Sequence, residues 1–232
     1  MQNMRLIIRM MTNRKVSLII LLIAVFFNSY SQDDFGLWLT VDASHKILKN
    51  MNAEISGSLR TAENSSVIDQ YFGEAGLSYK FGKIITVSSS YRLIKKVENN
   101  SEYYFRHKFF LGTKAEIQTG RFDLSARMLY QRTVHTYIEN KNDLIPQNLL
   151  RLRVMAEYKI PSSPYKPYLS CEPYLILNEI NGSAIQKNRY SAGTEVRISS
   201  QSSIEAGYIY ENYRKIQSTD SHIISLKYIL KF

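Results

Sequence analysis

Charged side chains recur at every second position in the second half of the chain. Arg151 and Arg153 are two residues apart, as are Glu195 and Arg197, so each pair shares one face of an extended strand. The planar guanidinium group of arginine pairs well with carboxylates and with other oxyanions. Two roles fit such a cluster: a salt-bridge network that fills a narrow interior, or a selectivity or binding site for a small anion. Its predicted members are Arg151, Arg153, Glu172, Arg189, Glu195 and Arg197, joined from other strands by Glu54, Glu74, Arg92, Arg106, Arg127 and Glu205.

The four histidines are the other residues that could do chemistry. His135 lies in the longest polar segment together with Glu139 and Asp143, and Ser221 directly precedes His222. The nucleophile pattern G-x-S-x-G does not occur, so we assign no catalytic residue. A barrel enzyme acting on lipid is kept as the alternative function.

The elements that position these residues are predicted to be β-strands. After residue 32, apolar and polar residues alternate with a period of two, and helical spacing is scarce. Short connections such as 82–83 and 119–120 alternate with longer polar ones such as 134–147. We therefore predict an all-β, antiparallel up-and-down barrel over residues 32–232. The alternating segments are 35–41, 51–59, 71–81, 85–93, 103–117, 122–130, 150–160, 169–177, 190–198, 204–210 and 222–232.

Alternation by itself leaves open which face points inward. A periplasmic lipocalin-like carrier buries its apolar face, whereas a transmembrane barrel turns that face towards lipid. Segments of about ten residues suit a tilted membrane crossing. The last residue of the final strand is the aromatic Phe232, which resembles the signal that barrel-insertion machinery reads. We predict a transmembrane barrel that this machinery inserts.

The predicted number of strands is ten or twelve. Two termini on the same side of a membrane require an even number, whereas the sequence shows eleven segments. Either segment 35–41 is not a full crossing or a strand has been missed within 134–147. A barrel of this size has a narrow interior that side chains largely fill.

The first 31 residues are typical of a secretory signal peptide. Their only charged residues are basic, and residues 16–27 form an unbroken apolar run that Ser29 and Ser31 follow. Twelve helical residues span about 18 Å, which is less than the roughly 30 Å of a bilayer's hydrocarbon core. We predict cleavage near Ser31, export by the general secretory route and location in the outer membrane.

The net charge of +10 is spread through the strands, which does not indicate a nucleic-acid partner. We instead expect contact with outer-membrane lipid and with lipopolysaccharide, through the basic loop residues Lys95, Lys96, Lys141, Arg214 and Lys215. Cys171 is the only cysteine, which excludes an intrachain disulfide and a cysteine-based zinc site. We expect a monomer without metal or cofactor.

Short motifs recur through the second half. They are Arg151-x-Arg153-x4-Tyr158, Pro167-Tyr168-x3-Glu172, Arg189-x3-Gly193-x-Glu195, Tyr208-x-Tyr210 and the run 222–232. With Trp38 and Tyr79-Lys80-Phe81 in the first half, this pattern resembles the bacterial domain-of-unknown-function 2490 family. The resemblance implies an outer-membrane β-barrel and no catalytic residues. The expected function is therefore a structural or binding barrel, or one for narrow passage of small solutes, with no substrate assigned.

Overall fold

The computed structural model describes residues 33–97, 102–136, 144–178, 185–214 and 219–232. The predicted signal peptide lies outside these residues, as do Glu139, Lys141, Asp143 and Lys215. Within the described ranges, no helix has the length and hydropathy that a membrane-spanning helix requires.

The described residues form eleven strands. Alternating side chains, many of them β-branched or aromatic, favour this extended backbone. The strands are β1 (Asp34–Leu48), β2 (Met51–Ala62), β3 (Val67–Phe81), β4 (Ile85–Val97), β5 (Tyr103–Thr119), β6 (Phe122–His135), β7 (Gln147–Tyr158), β8 (Tyr165–Ile176), β9 (Ile185–Arg197), β10 (Ser202–Tyr213) and β11 (Ser221–Lys231).

The strands close into one barrel in which successive strands pair antiparallel, but the closing pair of β1 and β11 is parallel. Phe35 lies beside His222, and Val41 lies beside Tyr228. The even strand number predicted from sequence is therefore wrong. Both explanations for an uneven count also fail, because β1 is a full strand of 15 residues and β6 pairs directly with β7. With an odd number of strands, the first and last run in the same direction, so closure must be parallel.

The connections fall at two opposite ends of the barrel. The short-turn end carries residues 49–50, 82–84, 120–121, 159–164 and 198–201, together with Phe232. The loop end carries Asp33, residues 63–66 and the described residues that flank the longer connections, which are 102, 136, 144–146, 177–178, 214 and 219–220. Gly82 and Gly120 have φ angles of 61° and 58°, a left-handed conformation that glycine adopts at little cost in a tight turn.

Apolar side chains cover the outside of the barrel, and polar side chains fill its inside. On the outside, Leu111, Val154 and Leu169 are 57%, 64% and 67% exposed. On the inside, Glu172 and Glu211 are only 2% and 3% exposed. Successive residues of a strand point to opposite faces, so each strand places its apolar face outward and its polar face inward. The orientation is that of a membrane barrel and the reverse of a lipocalin-like carrier.

Outward-facing aromatic rings gather near both ends. At the short-turn end, the ring centroids of Tyr79 and Phe81 lie 4.6 Å apart, and Phe122 lies 5.1 Å from Tyr158. At the loop end, several rings also pair on the outer surface: Tyr71 with Tyr103, Tyr91 with Phe109, and Tyr190 with Tyr210. Such rings suit the two interfaces between lipid and water.

Candidate functional site

Glu172 on β8 is the centre of a charged cluster in the lumen. Three arginines from three other strands contact its buried carboxylate. Arg127 on β6 lies 2.5 Å away, Arg151 on β7 lies 3.1 Å away and Arg189 on β9 lies 3.6 Å away. One carboxylate cannot balance three guanidinium charges, so the cluster retains an excess of positive charge.

Glu211 on β10 extends the cluster by accepting three further contacts. Arg189 lies 2.5 Å from its carboxylate and Lys187 lies 2.7 Å from it, while the hydroxyl of Tyr213 donates to it at 2.8 Å. Neither Lys187 nor Glu211 was among the predicted members, because the predicted segments on β9 and β10 stopped short of them. Both continue the inward alternation of their strands, and that signal could have identified them.

Strand register explains how residues distant in sequence meet. Arg189 stands directly opposite Glu172 on β8 and directly opposite Glu211 on β10. Arg127 likewise stands opposite Arg153 on β7. Inward side chains at matched positions of neighbouring strands are close enough to interact. The cluster is therefore a row that runs round the barrel wall.

A second feature of the lumen is a stack of alternating aromatic rings and arginines, here called the cation–aromatic ladder. The guanidinium carbon of Arg60 lies 3.8 Å from the ring centroid of Trp38. Arg189 lies 5.0 Å from the same ring and so links β1 to β9, two strands beyond the closure. The ladder therefore reaches into the lumen and narrows it. Its members are Phe110, Arg92, Phe72, Arg60, Trp38, Arg189, Tyr174 and Arg151.

The structure brings together only half of the six principal residues predicted for the cluster. Arg151, Glu172 and Arg189 meet directly. Arg153 lines the same lumen cavity of about 570 Å³ as these three residues, but its buried Nε atom has no hydrogen-bond partner. Glu195 and Arg197 lie apart, where they line a cavity of about 350 Å³ beside the 198–201 turn. Glu195 and Arg197 stand six and eight residues beyond Arg189 on β9, so they lie roughly 20 Å or more nearer the short-turn end.

The other predicted lumen residues also show specific partners. Glu74 on β3 accepts a contact from Arg92 on β4 at 2.5 Å. Glu54 accepts a hydrogen bond from Ser78 at 2.6 Å, and Glu205 accepts one from Tyr168 at 3.0 Å. These contacts join adjacent or nearby strands, as a structural network does.

One cavity, here called the main cavity, occupies the lumen between the ladder and the short-turn end. Its volume is about 570 Å³. Ser44 and Leu230 line it near the short turns, while Trp38, Arg60 and Arg189 line it at the ladder. A small solute that enters from the short-turn end would reach the ladder.

The outward-facing histidines hold neighbouring strands together. The Tyr91 hydroxyl lies 2.7 Å from Nδ1 of His107. His222 on β11 contacts the Tyr208 hydroxyl through Nδ1 and lies 3.1 Å from Asp33 through Nε2. Both histidines face outward, in the half of the barrel towards the loop end.

The predicted partners of His135 lie outside the described residues. Within the part of the chain that the structure describes, no three His, Cys, Asp or Glu side chains converge as a metal site. Cys171 is a free, exposed thiol on β8.

Residues 35–222 match the family described as a protein of unknown function, DUF2490. The chain belongs to this family. The match confirms the resemblance inferred from the motifs, and it covers all but the ends of the barrel. A comparison with curated proteins gave no match.

The comparison with solved structures matched a porin and an autotransporter translocator domain. The NanC porin is 13% identical, has a TM-score of 0.50 and matches 77% of this chain and 87% of its own. The translocator domain of the autotransporter NalP from Neisseria meningitidis is 14% identical, has a TM-score of 0.43 and matches 78% of this chain and 80% of its own. At this level of identity, the similarity to the NanC porin shows that the DUF2490 chain shares its fold.

Proposed function

We propose that this DUF2490 protein is an outer-membrane barrel whose narrow lumen admits and binds small anionic solutes. One observation carries the proposal: cations outnumber carboxylates inside a barrel whose outer surface is apolar. A belt of exposed apolar side chains stabilises a barrel in lipid and destabilises it in water. The proposed cleavage near Ser31 and the use of barrel-insertion machinery follow from the same location.

The excess of positive charge is concentrated at the ladder. Charges of one sign in a narrow lumen with low-dielectric walls raise the local concentration of the opposite ion. Lys108 on β5 stands directly opposite Arg92 on β4, so two like charges are neighbours there. The cations of this region are Arg60, Arg92, Lys108, Arg127, Arg151, Arg153, Lys187 and Arg189, and the carboxylates that contact them are Glu74, Glu172 and Glu211.

The size of the lumen limits which solutes fit. The ladder occupies the lumen at one level, and the cavity beside it measures about 570 Å³. This volume lies within the range of small-molecule sites. It accommodates small solutes and excludes large ones, which fits a structural or binding barrel and narrow passage better than general diffusion.

A planar-bilayer measurement tests the proposal. The refolded protein is expected to give small discrete current steps, and a KCl gradient should give a reversal potential that favours chloride. Lys108→Gln should weaken this anion preference without leaving a carboxylate unpaired, because Lys108 has no ion pair within the described residues. Lys114→Gln, near the short-turn end, is the control. Preference for potassium, or absence of current, would contradict anion passage.

Lipopolysaccharide is the lipid partner that we propose for the loop end. The ammonium group of Lys95 lies 5.9 Å and 5.8 Å from the ring centroids of Tyr71 and Tyr103 on the outer surface. The lysine and the two rings together are apolar on one side and positively charged on the other, which suits a lipid surface that carries phosphate groups. Lys96 forms an ion pair with Asp69 instead, so it contributes less to such a contact.

A further inference from the structure

We propose that Arg60 is the principal residue of an oxyanion-binding site at the ladder end of the main cavity. The ligand is a small solute that carries a phosphate or carboxylate group. This inference rests on the proposed anion-binding function and specifies the residue at which the anion binds.

Arg60 stacks on aromatic rings and, like Arg153, forms no ion pair with a carboxylate among the described residues. Its guanidinium carbon lies 3.8 Å from the ring centroid of Trp38 and 4.9 Å from that of Phe72. No carboxylate forms an ion pair with it within the described residues, and its buried Nε atom has no hydrogen-bond partner. Arg92, by contrast, is paired with Glu74. A desolvated cation without a counter-charge is costly, so a bound anion would be stabilised there.

Two further guanidinium groups stand near enough to contribute to the site. Arg60 and Arg92 stack on the same Phe72 ring, so less than 9 Å separates their guanidinium carbons. Arg60 and Arg189 share Trp38 in the same way. An oxyanion bound at the cavity-facing edge of Arg60 would therefore also be stabilised by the charge of these neighbouring groups.

The site is reachable from the cavity and has polar groups beside it. Trp38, Arg60 and Arg92 all line the main cavity. Thr40 lines the same cavity, and its hydroxyl oxygen lies 2.9 Å from that of Ser58. Hydroxyl groups can bond to the remaining oxygens of a phosphate or carboxylate. The arrangement thus favours an oxyanion over a halide, because two oxygens of one oxyanion can accept hydrogen bonds from the paired N–H groups of a guanidinium.

Trp38 provides a direct readout, because it is the only tryptophan in the chain and Arg60 stacks on its ring. The refolded full-length barrel is titrated separately with inorganic phosphate and with succinate, at constant ionic strength maintained with sodium chloride. We expect a saturable change in Trp38 emission with at least one of these anions. The anion that binds more tightly distinguishes a phosphate-bearing ligand from a carboxylate-bearing one.

Variants at Arg60 test whether this residue carries the site. Arg60→Gln should weaken binding about tenfold or more, because it removes charge-assisted hydrogen bonds. Arg60→Lys keeps the charge and should bind with intermediate affinity. Arg197→Gln, which changes an arginine at the other cavity, should bind like the wild type. Folding of each variant is checked by heat-dependent migration on a gel.

The outcomes separate this inference from the proposed function. Saturable binding that Arg60→Gln abolishes supports the site even if the barrel carries no current. The site is overturned if Trp38 emission changes only linearly with phosphate or succinate, if chloride gives the same change, and if Arg60→Gln does not alter it. This holds even if bilayers show anion-selective current. Equal binding by the wild type, Arg60→Gln and Arg60→Lys overturns it as well.

Discussion

Arg127 on β6 and Glu172 on β8 form an ion pair of 2.5 Å across the intervening strand β7. The contact is possible because the inward side chains of a narrow barrel converge towards its axis. Glu172 is 2% exposed and also contacts Arg151 and Arg189. It therefore neutralises part of the charge of several strands at once.

Removal of Glu172 should destabilise the barrel strongly. Glu172→Ala leaves three arginines with less counter-charge in a desolvated lumen, and breaking such a pair typically costs about 3–5 kcal/mol. Urea unfolding in lipid vesicles and heat-dependent gel migration measure the loss. Glu116→Ala, which breaks the half-exposed pair with Lys114, should cost less than about 1 kcal/mol. Equal effects of the two variants would show that Glu172 is not the centre of the network.

Addition of a methyl group at Gly207 should displace Tyr168. A β-carbon at Gly207 would lie 2.6 Å from the Tyr168 hydroxyl, whereas one at Gly57 would meet no atom within 4 Å. We expect Gly207→Ala to lower the free energy of unfolding by about 1–3 kcal/mol. Gly57→Ala, the matched control, should stay within about 0.5 kcal/mol of the wild type. Tyr168→Phe should relieve part of the Gly207→Ala effect, and its failure to do so would place the clash elsewhere.

The parallel closure predicts that Asp34 lies at the same end of the barrel as the long loops. In a Cys171→Ser background, we expect Asp34→Cys and Ser66→Cys to react with a membrane-impermeant maleimide on intact cells. Gln201→Cys, at the short-turn end, should react only after the outer membrane is permeabilised. Reaction of Ser66→Cys without Asp34→Cys would contradict the closure. Reaction of Gln201→Cys on intact cells would place the short-turn end, rather than the loop end, at the cell surface.

Charge reversal at Lys95 should reduce the amount of lipopolysaccharide that co-purifies with the barrel. A basic residue near an anionic lipid surface contributes roughly 1 kcal/mol, so Lys95→Glu should lower the bound amount several-fold. Lys83→Glu, in a turn at the opposite end, is the control. Phosphate analysis of the purified protein measures the ratio of lipopolysaccharide to protein. Equal ratios for the two variants would show that Lys95 does not contribute to the lipid contact.

Asp220, which precedes β11, should make stability depend on pH. Burial by itself raises the pKa of its carboxyl, but hydrogen bonds from Tyr210, Asn212 and the amide of Tyr213 outweigh this and hold the pKa below its ordinary value of 3.8. A lowered pKa means that the stabilisation is present above the ordinary value and is lost as the pH falls through the folded value. The wild type should therefore exceed Asp220→Asn in stability at pH 6 by more than at pH 3. Urea unfolding at both pH values measures the difference, and a difference independent of pH would contradict this role.

Sequence alone predicted part of the charged cluster, but it could not decide which of the inward charged residues meet. Arg151, Glu172 and Arg189 occupy inward positions that the alternation alone identifies, and the structure brings them together. Glu195 and Arg197 satisfy the same rule, yet they lie beside a different cavity. Alternation specifies a face of each strand, whereas height in the barrel depends on register and tilt, which arise between strands.

Sequence alone determined that this chain forms strands, and its family resemblance indicated an outer-membrane barrel. Both follow from local regularities: a period of two is a property of each segment by itself. Only the tertiary structure decided that eleven strands close in parallel, with Phe35 beside His222, and that Trp38 stacks on Arg60 and Arg189 from two other strands. These features depend on which strand edges meet and in which register. The pairing with the lowest free energy depends on all the strands of the barrel, so it cannot be predicted from any single segment.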